Sequence, residues 1–178
     1  CFMTHNIVPV LLNAHMDNEL LENLLKNYKP AYVWMPDEVT NRYLQFEKVY
    51  SRFGYNLMKT GYPMEYPMND ELGLLLTTSG STGSPKFVRQ TYNNVLTNAK
   101  QIAEYLELNS SERPVTTLPM NYTYGCSIIN SHLLVGATIL LTDKSLMARE
   151  FWDFMKSQNA TSFGGVPYTY EVLDKLRF

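Results

Sequence analysis

Residues 77-TTSGSTGSPK-86 place six hydroxyl side chains, two glycines, a proline and a closing lysine in ten positions. Gly80 and Gly83 permit backbone torsions that other residues avoid. Successive N–H groups can then point into one concavity and form an anion nest. Thr77, Thr78, Ser79, Ser81, Thr82 and Ser84 add hydroxyl donors, and Lys86 adds a compact positive charge. Pro85 fixes one torsion beside that lysine. Such a set suits a polyphosphate. It is not a Walker A loop, which ends in Gly-Lys-Ser/Thr and runs straight into a helix. Here Pro85 precedes Lys86, and Phe87 and Val88 continue as strand. Gly, Ser and Thr also make ordinary solvated hairpin turns, so residue types alone leave both readings open.

Few other residues have spacings that suggest chemistry. His5, His15 and His132 lie far apart, and Cys1 and Cys126 form no CxxC pair. Neither set has metal-ligand or disulfide-framework spacing, so no metal site is expected from these side chains. Net charge is −2 and basic residues are scattered, which argues against a nucleic-acid partner. No apolar run approaches the ~18 residues of a spanning helix, and no signal peptide is visible. A cytoplasmic setting is the default expectation. Thirteen tyrosines make a Tyr-lined crevice conceivable, although most aromatic residues serve packing.

Alternating strands and helices must position the loop. Residues 7–12 read as a buried strand. Met16 to Tyr28 form an amphipathic helix with Asp17 as N-cap and Pro30 as stop. Residues 31–35 form the next strand, and this β-α-β order favours a parallel pair. Residues 47–50 and 54–58 suit an inserted hairpin. Beyond the loop, 86–90 can pair back as a strand, and Thr91 can cap a helix through Leu106. Then follow strand 114–119, helix 123–135 stopped by Gly136, strand 137–142, helix 145–157, strand 160–164 and helix 167–177. The pattern predicts an α/β fold with a mostly parallel layered sheet and flanking helices.

Residues 75–86 resemble the Ser/Thr/Gly-rich phosphate-loop signature of the adenylate-forming (AMP-binding) superfamily, and every position fits. That superfamily includes acyl-CoA synthetases and nonribosomal peptide synthetase adenylation domains. The segment 118-LPMNYTYG-125 resembles the one that opens the family's acyl and adenylate pocket. Many acyl-CoA synthetases have a histidine where Tyr122 stands. The segment 164-GGVPYTYEVLDKL-176 resembles the stretch that walls the acyl pocket, and 21-LENLLKNYKPAYVWMP-36 the helix and strand upstream of the loop.

The resemblance implies an ATP- and Mg2+-dependent, AMP-forming acid–thiol ligase. A carboxylate would attack the α-phosphate of ATP, giving an acyl-adenylate and pyrophosphate. A thiol, from CoA or the phosphopantetheine of an acyl carrier protein, would then take the acyl group. Carried over by position, Thr78, Ser79, Gly80, Ser81, Thr82 and Gly83 would wrap the β- and γ-phosphates. Lys86 would pin the loop or touch the leaving pyrophosphate. Tyr122, Tyr124 and Gly125 would border the acyl group, and Gly164, Gly165, Val166 and Pro167 would shape the pocket wall.

Residues 1–178 are expected to be part of the family's large N-terminal domain, truncated at both ends. The chain opens on Cys1 and stops at Phe178 within an uncapped helix. The family's later adenine, ribose and magnesium segments and its C-terminal domain have no counterpart here. The isolated chain is therefore expected to be inactive and, through uncovered apolar surface, to self-associate. A carrier-protein-loading adenylation domain, or a non-catalytic binding module that keeps the fold, are the other readings.

Overall fold

A computed structural model describes residues 2, 5–63, 67–77 and 87–175. They form two compact units, Leu12–Asn69 and Cys1–Leu11 with Asp70–Phe178.

In the Leu12–Asn69 unit, helix α1 (Asn18–Tyr28) begins where the Asp17 carboxylate accepts from the Leu20 N–H at 3.1 Å. It ends at Lys29, left-handed at φ 41°, whose N–H donates to Leu25 O. Strand β2 (Tyr32–Pro36), the single turn α2 (Asp37–Thr40) and the hairpin β3 (Glu47–Arg52) and β4 (Tyr55–Lys59) follow. Phe53 and Gly54 both have positive φ, 54° and 73°, the geometry of a tight hairpin turn. The antiparallel sheet runs β2-β4-β3. Leu25, Met35, Tyr43, Phe46 and Met58 form its core. Asn56 is buried beneath the sheet, donating to Asp37 Oδ1 at 2.6 Å and Thr40 Oγ1 at 3.0 Å while accepting from Ser51 Oγ.

In the other unit, β1 (Val10–Leu11) runs parallel to β5 (Leu72–Thr77), and β6 (Phe87–Thr91) returns antiparallel to β5. Helix α3 (Tyr92–Tyr105) starts from a capping box between Thr91 and Asn94. Strand β7 (Pro114–Val115), α4 (Thr123–Leu134), α5 (Arg149–Ser157), β8 (Ser162–Phe163) and α6 (Pro167–Lys175) complete the order. Strands β7 and β8 pair in parallel, and Leu140 bridges to Val115, also in parallel. Leu74, Leu76 and Cys126 make one core cluster. Val115, Leu140 and Phe151 make another, with Phe151 fully buried.

The α/β class holds, with parallel and antiparallel pairs mixed. The expected parallel partnership of residues 7–12 with 31–35 does not form. β2 instead pairs with the hairpin strand β4 over five residues, while β1 pairs with β5. A hairpin strand gains a long ladder at low loop-closure cost. Strand 137–142 reduces to the single bridge at Leu140. Helix 145–157 begins only at Arg149, because Ser145 closes a turn first, accepting from the N–H groups of Met147 (3.2 Å, Oγ) and Ala148 (2.9 Å, carbonyl).

Candidate functional site

The Ser/Thr/Gly loop is framed by β5 and β6. Their final rung pairs Thr77 with Phe87. Leu74 and Leu76 anchor β5 in the core at 4% exposure each. Gly73 lets the start of α3 lie close against β5, since a methyl added there would meet Tyr92 N at 3.0 Å and its ring at 2.9 Å. Thr78, Ser79, Gly80, Ser81, Thr82, Gly83 and Lys86 themselves lie outside the described residues.

The expected acyl-pocket residues lie at the carboxyl ends of the parallel strands. Across this sheet the order is the Leu140 bridge, β7, β8, whereas chain order is β7, Leu140, β8. The connection after β7 therefore runs to one side of it, and the connection after Leu140 crosses back to the other side to reach β8. In open α/β sheets the crevice beyond the strand ends at such a switch point is the usual ligand site. Here it is flanked by Thr117, just past β7, and Gly164, just past β8. The Thr117 hydroxyl donates to Gly164 O. At the opposite ends of the strands, Arg113 N–H donates to Thr161 Oγ1 at 2.9 Å and Arg113 Nε to Gln158 O at 2.7 Å. Both ends of the β7–β8 pair are thus tied by side chains.

Residues 118–126 bend sharply into α4. Tyr122 N–H donates to Pro119 O, and Cys126 N–H to Tyr122 O. Gly125 makes this bend feasible, because any side chain there would overlap the Pro119 and Leu118 carbonyls. Tyr122 takes the N-cap position and, like Tyr124, is partly exposed, at 45% and 41%. One turn on, Ile128 reaches Gly164. A methyl added at Gly164 would overlap Ile128 Cδ1 and stand 3.6 Å from Tyr124 Cζ. One added at Gly165 would meet Thr169 at 2.9 Å and the Tyr170 ring at 3.1 Å. Val166 and Pro167 start α6, with Thr169 N–H donating to Val166 O at 2.8 Å.

The structure thus brings Tyr124 and Gly164 together and places Gly125 and Gly165 at tight backbone corners. Tyr122 caps the same helix, and Val166 and Pro167 serve the start of α6. Thr117 and Ile128 carry no signal in sequence: one is a threonine after a short strand, the other an apolar residue on an apolar helix. Neither Cys126 nor His132 offers reactive chemistry. Burial pushes the Cys126 thiol above its ordinary range, while the Asn130 amide, 3.4 Å from Sγ, acts in the opposite sense. His132 is buried, and its Nδ1 lies 2.8 Å from Ile128 O, tying it to its own helix. Among the described residues no group of His, Cys, Asp and Glu is placed to hold a metal. None of their helices is long and apolar enough to cross a membrane. An open cleft of about 680 Å³ lies on the other side of β7, lined by residues that include Thr116, Thr142, Lys144, Glu150 and Phe154.

The family described as AMP-binding enzyme matches residues 3–177. The chain belongs to the AMP-binding enzyme family. Oxalate–CoA ligase of Arabidopsis thaliana is 33% identical over 106 residues, covering 58% of this chain and 21% of that protein. D-alanine–D-alanyl carrier protein ligase of Bacillus cereus is 23% identical over 171 residues, covering 79% of this chain and 34% of that protein. Among solved structures, o-succinylbenzoate CoA synthetase of Bacillus subtilis, in complex with its acyl-adenylate intermediate, superposes with a TM-score of 0.74 at 18% identity. That match covers 98% of this chain and 46% of the synthetase. The shared fold is that of the N-terminal part of adenylate-forming enzymes. The chain spans from about a fifth to under a half of these relatives.

Proposed function

We propose that this chain is the phosphate-loop and acyl-pocket part of an ATP-dependent carboxylate-activating ligase that ends in an acyl thioester. The observation that carries the reading is the family match across residues 3–177, which takes in the whole Ser/Thr/Gly loop and both pocket segments. A loop closed by the Thr77–Phe87 rung supports it, because a fixed neck limits where the loop's N–H and hydroxyl donors can point.

In this reading Thr78 to Gly83 hold the β- and γ-phosphates, and Lys86 offsets charge on the departing pyrophosphate. ATP supplies the activated phosphoryl group, with Mg2+ expected alongside it. A carboxylate is already ionised at neutral pH, so positioning and charge neutralisation matter more than a general base. Tyr122, Tyr124 and Gly125 border the acid, and Gly164, Gly165, Val166 and Pro167 wall it. The acceptor is CoA, as the name of the Arabidopsis relative suggests. The carrier-protein ligase relative supports a second reading, with a carrier-protein thiol as acceptor. A cytoplasmic site of action belongs to the same proposal. So do the inactivity and self-association of the isolated chain, which exposes Leu44, Phe53, Tyr105 and Leu141.

The test is acid-dependent ATP–pyrophosphate exchange by the whole protein, with and without Lys86→Ala. Exchange with one class of acid, cut about a hundredfold by the substitution, is the expected result. A folded whole protein with no exchange on any acid would favour a non-catalytic module.

A further inference from the structure

We propose that the whole protein forms a two-fold symmetric dimer by pairing strand β3 (Glu47–Arg52) with β3 of a second copy. The proposal goes beyond the ligase reading and does not depend on it.

Strand β3 ends its sheet, whose order is β2-β4-β3, and all six of its residues are exposed. Among the described residues no strand pairs with its outer edge. Such an edge presents unpaired N–H and C=O groups, which template pairing with another chain. The strand reads 47-EKVYSR-52, with an acid at one end and a base at the other. Antiparallel pairing about a dyad between Val49 and Tyr50 sets Glu47 opposite Arg52 of the second copy. Lys48 then stands opposite Ser51 of that copy, and Val49 opposite its Tyr50. Two-fold symmetry makes each pair occur twice. Opposite charges and an aromatic–β-branched pair are favourable cross-strand neighbours. A like-charged strand would repel its own copy, whereas this one attracts it in the register that spans the whole strand.

An irregularity in β3 makes that register work on both faces. In the β3–β4 ladder, Glu47, Tyr50 and Arg52 pair with Lys59, Leu57 and Tyr55, whereas Lys48 and Ser51 pair with Met58 and Asn56. Val49 is the extra residue where the register shifts. Glu47, Tyr50 and Arg52 therefore share the outer face, and Lys48 and Ser51 lie on the face of the buried Met58 and Asn56. In a regular strand Glu47 and Arg52 would point to opposite faces and could not meet across the dyad. A bulge commonly protects an edge from pairing; here it brings the two charges to one face. Neither side chain forms an ion pair among the described residues, and the Arg52 guanidinium rests 4.6 Å from the Phe53 ring centroid. On the same outer face Trp34 stacks with Tyr50 and Tyr55, at centroid distances of 6.3 and 5.7 Å. Pairing would join two such aromatic rows in one continuous sheet. It would also take Val49 and Tyr50, now 43% and 50% exposed, out of water.

The experiment measures the dimer dissociation constant of the whole protein by sedimentation velocity, alongside Glu47→Arg, Arg52→Glu and the two together. The native protein is expected to be dimeric. Each single substitution sets like charges opposite each other at both ends of β3 and should raise the constant about tenfold or more. The double substitution restores opposite charges in both pairs and should recover most of the lost affinity. Hydrogen exchange at residues 47–52 of the native protein, above and below that constant, reads the same contact without any substitution and should slow in the dimer. A constant that the single substitutions leave unchanged, or a double variant no tighter than the single ones, overturns the proposal. So does a native protein that stays monomeric up to about 100 μM. Protected amides in such a monomer would put another part of the whole protein on the edge, and unprotected ones would leave the edge in water. None of these readouts uses ATP–pyrophosphate exchange, so failure of the ligase reading leaves the proposal standing.

Discussion

The loop neck at Thr77–Phe87 and the pocket corner at Gly125 and Gly164 are built by different means. The neck is a backbone rung between two strands, and the residues it presents are small, polar and rich in hydroxyls. The corner is built by volume, with glycines pressed on carbonyls, a methyl group and tyrosine rings. A backbone-built site tolerates side-chain change in folding and is sensitive in function. A volume-built site is sensitive in both, because close packing couples shape to stability.

The largest expected effect breaks the corner. Gly125→Val would drive a branched side chain into the Leu118 and Pro119 carbonyls, which cannot move without unwinding the bend into α4. Destabilisation of about 3 kcal/mol or more is expected, read as a fall in the urea midpoint. A midpoint within error of the native protein would show that the corner is loose.

Lys86→Ala probes the neck side. Exchange should fall about a hundredfold while the urea midpoint stays put, the outcome expected if the lysine acts through its charge on the phosphates. A matching loss of stability would erase the distinction between the two regions.

Thr117→Val is subtler. It keeps the side-chain shape and removes the hydroxyl that donates to Gly164 O. About 1 kcal/mol of stability should go, with a measurable rise in KM for the acid. An unchanged KM would mean that Gly164 is held by packing alone.

The smallest effect concerns pH. Burial raises the thiol of Cys126 above its usual 9.0. Burial first, then Glu22 and Tyr62, raise the Tyr43 hydroxyl above its usual 10.0, against a lowering by Arg42. In each case the unfolded side chain loses its proton before the folded one does. The folded state then binds more protons, and stability falls as pH rises. The loss should begin near pH 9 for Cys126 and near pH 10 for Tyr43. Cys126→Ala should flatten the earlier part of a denaturation-midpoint series between pH 8 and about 10.5, and an unaltered slope would remove Cys126 as its cause.

Local signals in the sequence translated well into local structure. Asp17 and Thr91 cap the helices expected of them. Gly136, at φ 77°, follows α4 as expected. The 47–58 hairpin forms around Phe53 and Gly54. Each is decided within a few residues by torsional preference or a side-chain-to-backbone hydrogen bond. Strand partnership was less legible. Residues 7–12 and 31–35 both read as strands, yet nothing in their apolar pattern distinguished β5 from β2 as a neighbour for β1. The site was legible where chemistry shows in residue type, as in the Ser/Thr/Gly loop and the Tyr-Gly and Gly-Gly segments. Ile128 and Thr117 were invisible because their roles depend on what faces them.

The amino-acid sequence alone determined the α/β class, the helix boundaries set by caps and glycines, and the family to which the phosphate loop points. All of these depend on short-range torsion, periodicity and residue chemistry. Only the tertiary structure decided that β1 joins β5, that β7 and β8 meet at a switch point, and that Ile128 fills the space Gly164 leaves open. Those outcomes join residues far apart in the chain, 36 positions apart in the case of Ile128 and Gly164, through contacts that exist only once the strands have paired and α4 has packed.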